Sequence, residues 1–398
     1  MWTPAARRPL AVVLALAAAA GPARAQLYLP PPPSTLAETS IRAAAMGGAG
    51  GAVMWGEPAV WANPATLSGV NGIGWVTGHT EGQGWVPGIL PPRRGVQELD
   101  FSSQRLLIGG GGLAFSLMGK PISGLGKAEF DPNDLFVPPI GPTITVSERT
   151  EGWGVGVSPL RLIESIRKIA KMSPSSLTSY GDVAFGYQAK DSKAIADPDI
   201  LGFGFDEAGT YDWGASGRLA LARWWGPDAP FRLDLSGAYS QLNVIKSKWN
   251  DSGATTQQID RFGTALHLSP APPSQRSASP PSLPWWRPGD VPELSVGLAY
   301  DHEHHHDEPV GFQGFDVDHY GFETNVFQLL ALRVGFVSDP EEQLEGWTYG
   351  GGISVPIGPW GSVGYQLASV PTSADADRPL RQGWSVWLDP TRFFTDGH

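Results

Sequence analysis

The chain of 398 residues contains no cysteine. A disulfide framework, a thiolate zinc site, an iron–sulfur cluster and a cysteine nucleophile are therefore excluded. Beyond residue 25 it also lacks any apolar run approaching the roughly 18 residues that a membrane-spanning helix needs. Charge is sparse at 17%, and 39 acidic residues outnumber 28 basic ones, so the chain is a poor partner for nucleic acid. Aromatic residues, by contrast, are plentiful: 16 Trp, 9 Tyr and 16 Phe carry more apolar area than a disordered chain keeps solvated. The classes left are a soluble all-β protein and a membrane β-barrel.

The first 25 residues have the pattern of a cleaved signal peptide. Arg7 and Arg8 precede an apolar stretch from Leu10 to Ala20, and Ala23-Arg24-Ala25 supplies the small residues of a cleavage site. Residues 26–35, with Leu29-Pro30-Pro31-Pro32-Pro33, read as an extended proline-rich spacer.

From about Ile73 to Leu388, large apolar residues alternate with small or polar ones, which is strand periodicity. In Tyr211 to Leu221 one face reads Tyr211, Trp213, Ala215, Gly217, Leu219, Leu221, and the other Asp212, Gly214, Ser216, Arg218, Ala220. Phe231 to Tyr239, Leu294 to Tyr300 and Trp347 to Ile357 repeat the pattern. Segment lengths near nine to eleven match tilted strands crossing a bilayer better than the five or six usual in soluble sheets. Trp75, Tyr211, Trp213, Tyr239, Tyr300, Tyr320, Trp347, Tyr349, Trp384 and Trp387 sit near segment ends, where an interfacial girdle would place them. Asp212, Arg218, Arg232, Asp234, Arg261, Glu323 and Arg333 share the non-apolar face, which in a barrel lines the lumen.

Sixteen candidate segments, at least two of them doubtful, predict a closed antiparallel transmembrane β-barrel of about fourteen strands over residues 71–390, with a tail at 391–398. Closure follows from physics, since an open edge in hydrocarbon leaves amides that no water can satisfy. Residues 86–98, 131–142, 270–292, 301–316 and 370–380 read as long loops. The spacing of Leu162, Ile163, Ile166, Ile169 and Ala170 opposite Arg161, Glu164, Arg167, Lys168 and Lys171 predicts an amphipathic helix over 160–172. It reads as a cap packed on the barrel end in preference to a membrane-surface anchor.

Residues 36–70 read as a plug inserted at the N-terminal end of the barrel. Small residues and paired glycines in Ser40 to Val53 permit close backbone packing, and Asn63-Pro64 starts a turn. Arg42, Met46, Gly47, Gly48, Ala49 and then Asn63, Pro64, Ala65 stand in the order of a segment that opens the PorV/PorQ family. That family belongs to the FadL-like outer-membrane barrels, and the chain resembles it at its far end as well. There Gly321-Phe322-Glu323, Leu330-Ala331-Leu332-Arg333-Val334-Gly335-Phe336 and Gly350-Gly351-Gly352-Ile353 are similar to successive strands of the family. The resemblance implies an outer-membrane protein, exported through the periplasm, that touches outer-membrane lipid and works without a cofactor. FadL-like relatives imply passage of hydrophobic small molecules, with the plug shifting; PorV implies an accessory or shuttle role for secreted protein cargo. A structural barrel whose long loops bind partners is the alternative.

No enzymatic signature accompanies these features: Gly-Xaa-Ser-Xaa-Gly and Walker patterns are absent. Gly109 to Gly112 reads as a strand kink. Glu323 and Arg333 lie on adjacent strands and face inward by parity, as a lumenal ion pair. In Asp301 to Glu308 the imidazoles could ligate Zn, Ni or Cu, with His302, His304 and His306 the candidates. Their spacing fits no rigid-helix ligand pattern, and the stretch reads as a solvated, pH-sensitive loop tip without a metal.

Overall fold

A computed structural model describes residues 40–54, 57–82, 96–118, 124–130, 144–172, 177–197, 206–222, 231–245, 258–270, 294–306, 314–327, 329–339, 344–357, 361–371 and 380–388. The expected signal peptide, spacer, start of the plug segment (36–39) and C-terminal tail lie outside the described residues, as does most of every expected long loop except 301–316.

The alternating segments form β1 (Gly72–Gly82), β2 (Val96–Gly110), β3 (Leu113–Met118), β4 (Gly124–Phe130), β5 (Ile144–Val157), β6 (Gly181–Asp197), β7 (Asp206–Ala220) and β8 (Phe231–Ile245). They continue as β9 (Ile259–Pro270), β10 (Leu294–His305), β11 (Phe315–Val326), β12 (Leu330–Asp339), β13 (Leu344–Ile357), β14 (Gly361–Ser369) and β15 (Leu380–Leu388). All pairings are antiparallel. β1 pairs with β15 from Ile73↔Leu388 to Glu81↔Leu380, and this pairing closes the sheet. β3 and β4 each pair with both β2 and β5, so together they occupy a single place in the wall. The molecule is a closed antiparallel barrel of fourteen strands, as the periodicity predicts.

Side chains divide by parity along each strand. Trp75, Phe115, Trp153, Phe185, Leu298, Tyr320, Trp347 and Ile353 are exposed outside, while Asp212, Asp234, Arg261 and Glu323 are buried within. A soluble protein of this size would hide the larger apolar set; here the small and polar set is hidden instead. Ring contacts run round the outside as a belt: Trp153 to Tyr187 at 5.6 Å, Tyr187 to Tyr211 at 5.9 Å, Trp213 to Tyr239 at 5.4 Å, Tyr300 to Tyr320 at 5.2 Å and Phe336 to Trp347 at 5.2 Å.

Several local expectations are corrected. Two of the sixteen candidate segments, 143–149 and 151–158 when the alternation is divided at Thr150, are one strand, β5, because the alternation runs on through Thr150 and Glu151. β4, with two glycines and two charges in seven residues, has too weak an alternation to be seen. Gly111 and Gly112, at φ 63° and 89°, form the tight β2–β3 turn; there is no kink. Trp387 points inward, packing with Val70 and Leu107, because it is one residue out of phase with exposed Trp384. The described residues of the 301–316 loop are mostly strand: β10 runs to His305 and β11 begins at Phe315, with 307–313 outside the described residues.

Candidate functional site in the lumen

The lumen holds residues 40–54 and 57–70 of the described chain. Helix α1 (Ile41–Ala45) starts at Ser40, whose Oγ accepts a hydrogen bond from the Ala43 amide at 3.2 Å, and all five of its residues are buried. A 3₁₀ turn (Pro64–Gly69) is capped by Asn63, whose Oδ1 accepts from the Ala65 amide at 2.9 Å. Asn63 Nδ2 donates to the Gly51 carbonyl at 3.0 Å and to that of Ala215 on β7 at 3.3 Å. One side chain thus ties the turn to its own segment and to the wall.

Backbone meets backbone closely here, which is why small residues line both sides. Gly47 has φ 70°, and a Cβ on it would stand 2.8 Å from backbone atoms of Phe336 and Tyr320. On the wall, a Cβ on Gly186 would overlap Pro64, and one on Gly335 would overlap Met46 and Gly47. The Gly48, Pro64 and Ala65 positions therefore share one role, close seating against strands β6, β11 and β12.

A first charged cluster grips α1. Arg42 donates to Glu323 twice, Nε to Oε2 and Nη2 to Oε1, both at 2.8 Å. Arg333 Nε donates to Glu323 Oε2 at 2.6 Å and its Nη1 to Gln366 Oε1 at 3.0 Å. Glu323 is 1% exposed, so two guanidiniums share one dry carboxylate. Burial by itself would lower the Arg42 pKa, but the charge and hydrogen bonds of Glu323, with Glu57 nearby, raise it above its ordinary value. Burial pushes the Glu57 carboxyl up from its ordinary value, against the pull of Arg333 and Arg42.

A second cluster holds the glycine turn. Asp301 Oδ2 accepts from the amides of Gly50 at 2.8 Å and Gly51 at 2.7 Å, and from Arg261 Nη2 at 2.7 Å. Arg261 Nη2 also donates to the Gly48 carbonyl. His319 lies between two acceptors, the Gly47 carbonyl at 2.6 Å from Nδ1 and Glu303 Oε2 at 3.3 Å from Nε2. A ring so placed is satisfied on both sides when both nitrogens carry protons. Farther round, Lys190 pairs with Asp212 at 2.9 Å and donates to Asn243 at 2.6 Å. Its ammonium lies 4.7 Å above the Trp61 ring, which Arg105 covers at 4.9 Å.

Glu323 and Arg333 are thus brought together, and Arg42 joins them from 281 residues away. His302, His304 and His306 lie close together outside the lumen, with His302 and His304 both approaching Asp316 and the His304 and His306 rings 5.1 Å apart. His302 Nδ1 faces Asp318 at 3.0 Å, His304 Nδ1 faces Asp316 at 2.7 Å and His306 Nε2 faces Asp260 at 3.0 Å. No group of three or more His, Asp or Glu able to hold a metal occurs among the described residues. Sequence reasoning missed Asp301, Glu303 and His319 as contacts of the lumenal segment. A signal was present: Ser295, Gly297 and Ala299 continue in phase into Asp301, Glu303 and His305.

On the β2–β5 side the contacts change character. Val60, Leu67 and Val70 form an apolar cluster with Leu107 and Ala114. Beside it β2 changes partner: it pairs with β4 through Ser102 and with β3 from Leu106, with Ser103, Gln104 and Arg105 between, and residues 119–123, which join β3 to β4, lie outside the described residues. These three, with Met118, Glu57, Pro58 and Trp61, line a recess of about 30 Å³. That is room for a water or two and no more.

No protein family matches the chain, and no curated protein sequence does. Among solved structures it is similar to the Ralstonia pickettii toluene transporter TbuX, with 12% identity over 89% of this chain and 99% of that one and a TM-score of 0.47. The Pseudomonas putida toluene transporter TodX gives 11% identity, 88% and 98% coverage and 0.46; a Pseudomonas aeruginosa FadL homologue gives 10%, 89% and 98%, and 0.41. Likeness at this level does not transfer an activity, and the PorV/PorQ likeness of residues 42–65 has no counterpart in it.

Proposed function

We propose that the protein is a non-catalytic outer-membrane barrel that passes small hydrophobic molecules through its wall, with residues 36–70 as the plug. The observation that carries this reading is the recess beside Glu57, Pro58 and Trp61, lined from the wall by Ser103, Gln104 and Arg105, where β2 passes from pairing with β4 to pairing with β3. Lipid covers the exposed apolar belt, and the buried polar lumen needs a filling, which the plug supplies. The recess is closed: at about 30 Å³ it is far below the roughly 150 Å³ that a benzene-sized guest occupies. Passage requires the 57–61 stretch to shift, which slides the apolar contact of Val60 and draws Glu57 away from Gln366, whose Nε2 donates to Glu57 Oε2 at 2.5 Å.

The test is entry of a monoaromatic probe into vesicles carrying the purified barrel. The wild-type chain should admit it, and Ser103→Trp, which fills the recess from the wall side, should slow entry while leaving the barrel folded. Wild-type vesicles no more permeable than protein-free ones would overturn the reading. The order of Arg42, Met46 to Ala49 and Asn63 to Ala65 supports a second reading, a secretion accessory. It requires that deleting the gene strands an exported protein in the periplasm while probe entry is unaltered.

A further inference from the structure

Between β5 and β6 lies helix α2 (Pro159–Ile169), at the same barrel end as the tight β2–β3 turn. Its attachments are all on one side. Ser158 Oγ accepts from the Arg161 amide at 3.3 Å, Arg161 Nε pairs with Asp182 at 2.6 Å, and Glu164 Oε1 accepts from the Thr178 amide at 3.0 Å. A Cβ on Gly111 would meet Ser165, and one on Gly112 would meet Arg161. The opposite side carries Ile163, Ile166 and Ile169, followed by Met172, which are 46%, 56%, 83% and 57% exposed. No residue of the helix is buried, so it does not pack as a cap on the barrel end, and the expectation of a cap is corrected.

We infer that α2 is an in-plane membrane helix, its isoleucine stripe seated at the headgroup–acyl boundary of the leaflet on the tight-turn side and its basic residues on anionic lipid headgroups. This rests on the membrane reading above. Two features select lipid. The stripe continues the exposed apolar surface of the adjoining strands, at Phe115 on β3 and Val183 and Phe185 on β6, with Tyr180 between. Second, residues 159–172 carry Arg161, Arg167, Lys168 and Lys171 against a lone Glu164, on a chain whose net charge is −11. A basic, isoleucine-faced helix on an otherwise acidic protein is complementary to an anionic surface.

Because the chain has no cysteine, single labels can be placed cleanly. Ile166→Cys, Ile169→Cys and Phe185→Cys, each carrying a polarity-sensitive fluorophore, would be reconstituted as full chains in phosphatidylcholine–phosphatidylglycerol vesicles containing nitroxide-labelled lipid. All three labels should shift to apolar emission and be quenched. Quenching at 185 with aqueous emission at 166 and 169 would overturn the helix assignment and leave the barrel reading intact; no quenching anywhere would overturn both. Apolar emission at 166 and 169 without quenching would mean that protein covers the stripe, and would also overturn it. Arg167→Glu/Lys168→Glu/Lys171→Glu should reduce quenching at 166 but not at 185. Equal quenching in pure phosphatidylcholine and after charge reversal would remove the anionic-lipid part.

Discussion

The two sides of the lumenal segment are held by different physics. Toward β9–β14 the contacts are buried charges and amide hydrogen bonds: Arg42 with Glu323 and Arg333, and the Gly50 and Gly51 amides on Asp301. Toward β2–β5 they are apolar contacts of Val60, Leu67 and Val70, beside the place where β2 changes partner from β4 to β3. The charged contacts are short-ranged in geometry and costly to break halfway, since each leaves an unpaired ion in a dry site. The apolar ones lose little when surfaces slide, because dispersion and burial are not directional. The lesson is that paired charges anchor one side of the segment while packing alone holds the apolar cluster on the other.

The largest effect should come from the anchor. Glu323→Gln leaves Arg42 and Arg333 facing each other without a counter-charge, and losing one partner of such a buried group costs about 3–5 kcal/mol. Vesicles carrying this variant should leak small dyes, and residues 41–51 should become open to protease. Leakage and protease resistance equal to wild type would show that the charges do not anchor the segment. A smaller and more local effect is expected on the other side. Leu67→Ala removes a fully buried side chain from the apolar cluster, at a cost of about 2–5 kcal/mol. Amide exchange should quicken over 60–70 and stay unaltered over 41–51; equal acceleration across both stretches would erase the distinction between the two sides.

Much of this was legible before the coordinates, for a definite reason. Strand parity repeats every two residues, so the exposed belt of Trp213, Leu298 and Trp347 and the buried set of Asp212, Arg261 and Glu323 can be read from local spacing. Parity also places Glu323 and Arg333 on one face of neighbouring strands. It says nothing about what stands opposite across a lumen, so the Arg42 to Glu323 contact, spanning 281 positions, was invisible. The histidine stretch misled because charge density was read as solvent exposure. The strand in fact carries His302 and His304 outward to their aspartates and Asp301, Glu303 and His305 inward to the buried cluster. The change of partner along β2 left no mark because the weak alternation of Gly124–Phe130 hid β4.

The smallest expected effect tests the junction itself. Glu57 touches both sides: its carbonyl accepts from Arg42 Nη1 at 3.1 Å, and its residue lines the recess with Ser103 and Arg105. Burial is the largest influence on its carboxyl and raises the pKa, with Arg333 and Arg42 opposing. A group whose pKa is higher in the seated segment than in the released one binds its proton more tightly when seated. Its contribution to seating is then full below the ordinary glutamate value, about 4.3, and is lost as pH rises through the seated value. Wild-type amide exchange over 57–61 should therefore quicken as pH rises above the ordinary glutamate value by more than the intrinsic chemistry of exchange predicts. Glu57→Gln cannot titrate, so its excess should vanish while exchange over 41–51 keeps the wild-type profile. An excess that persists in the variant would assign the pH response to another group and detach Glu57 from the movement of the plug.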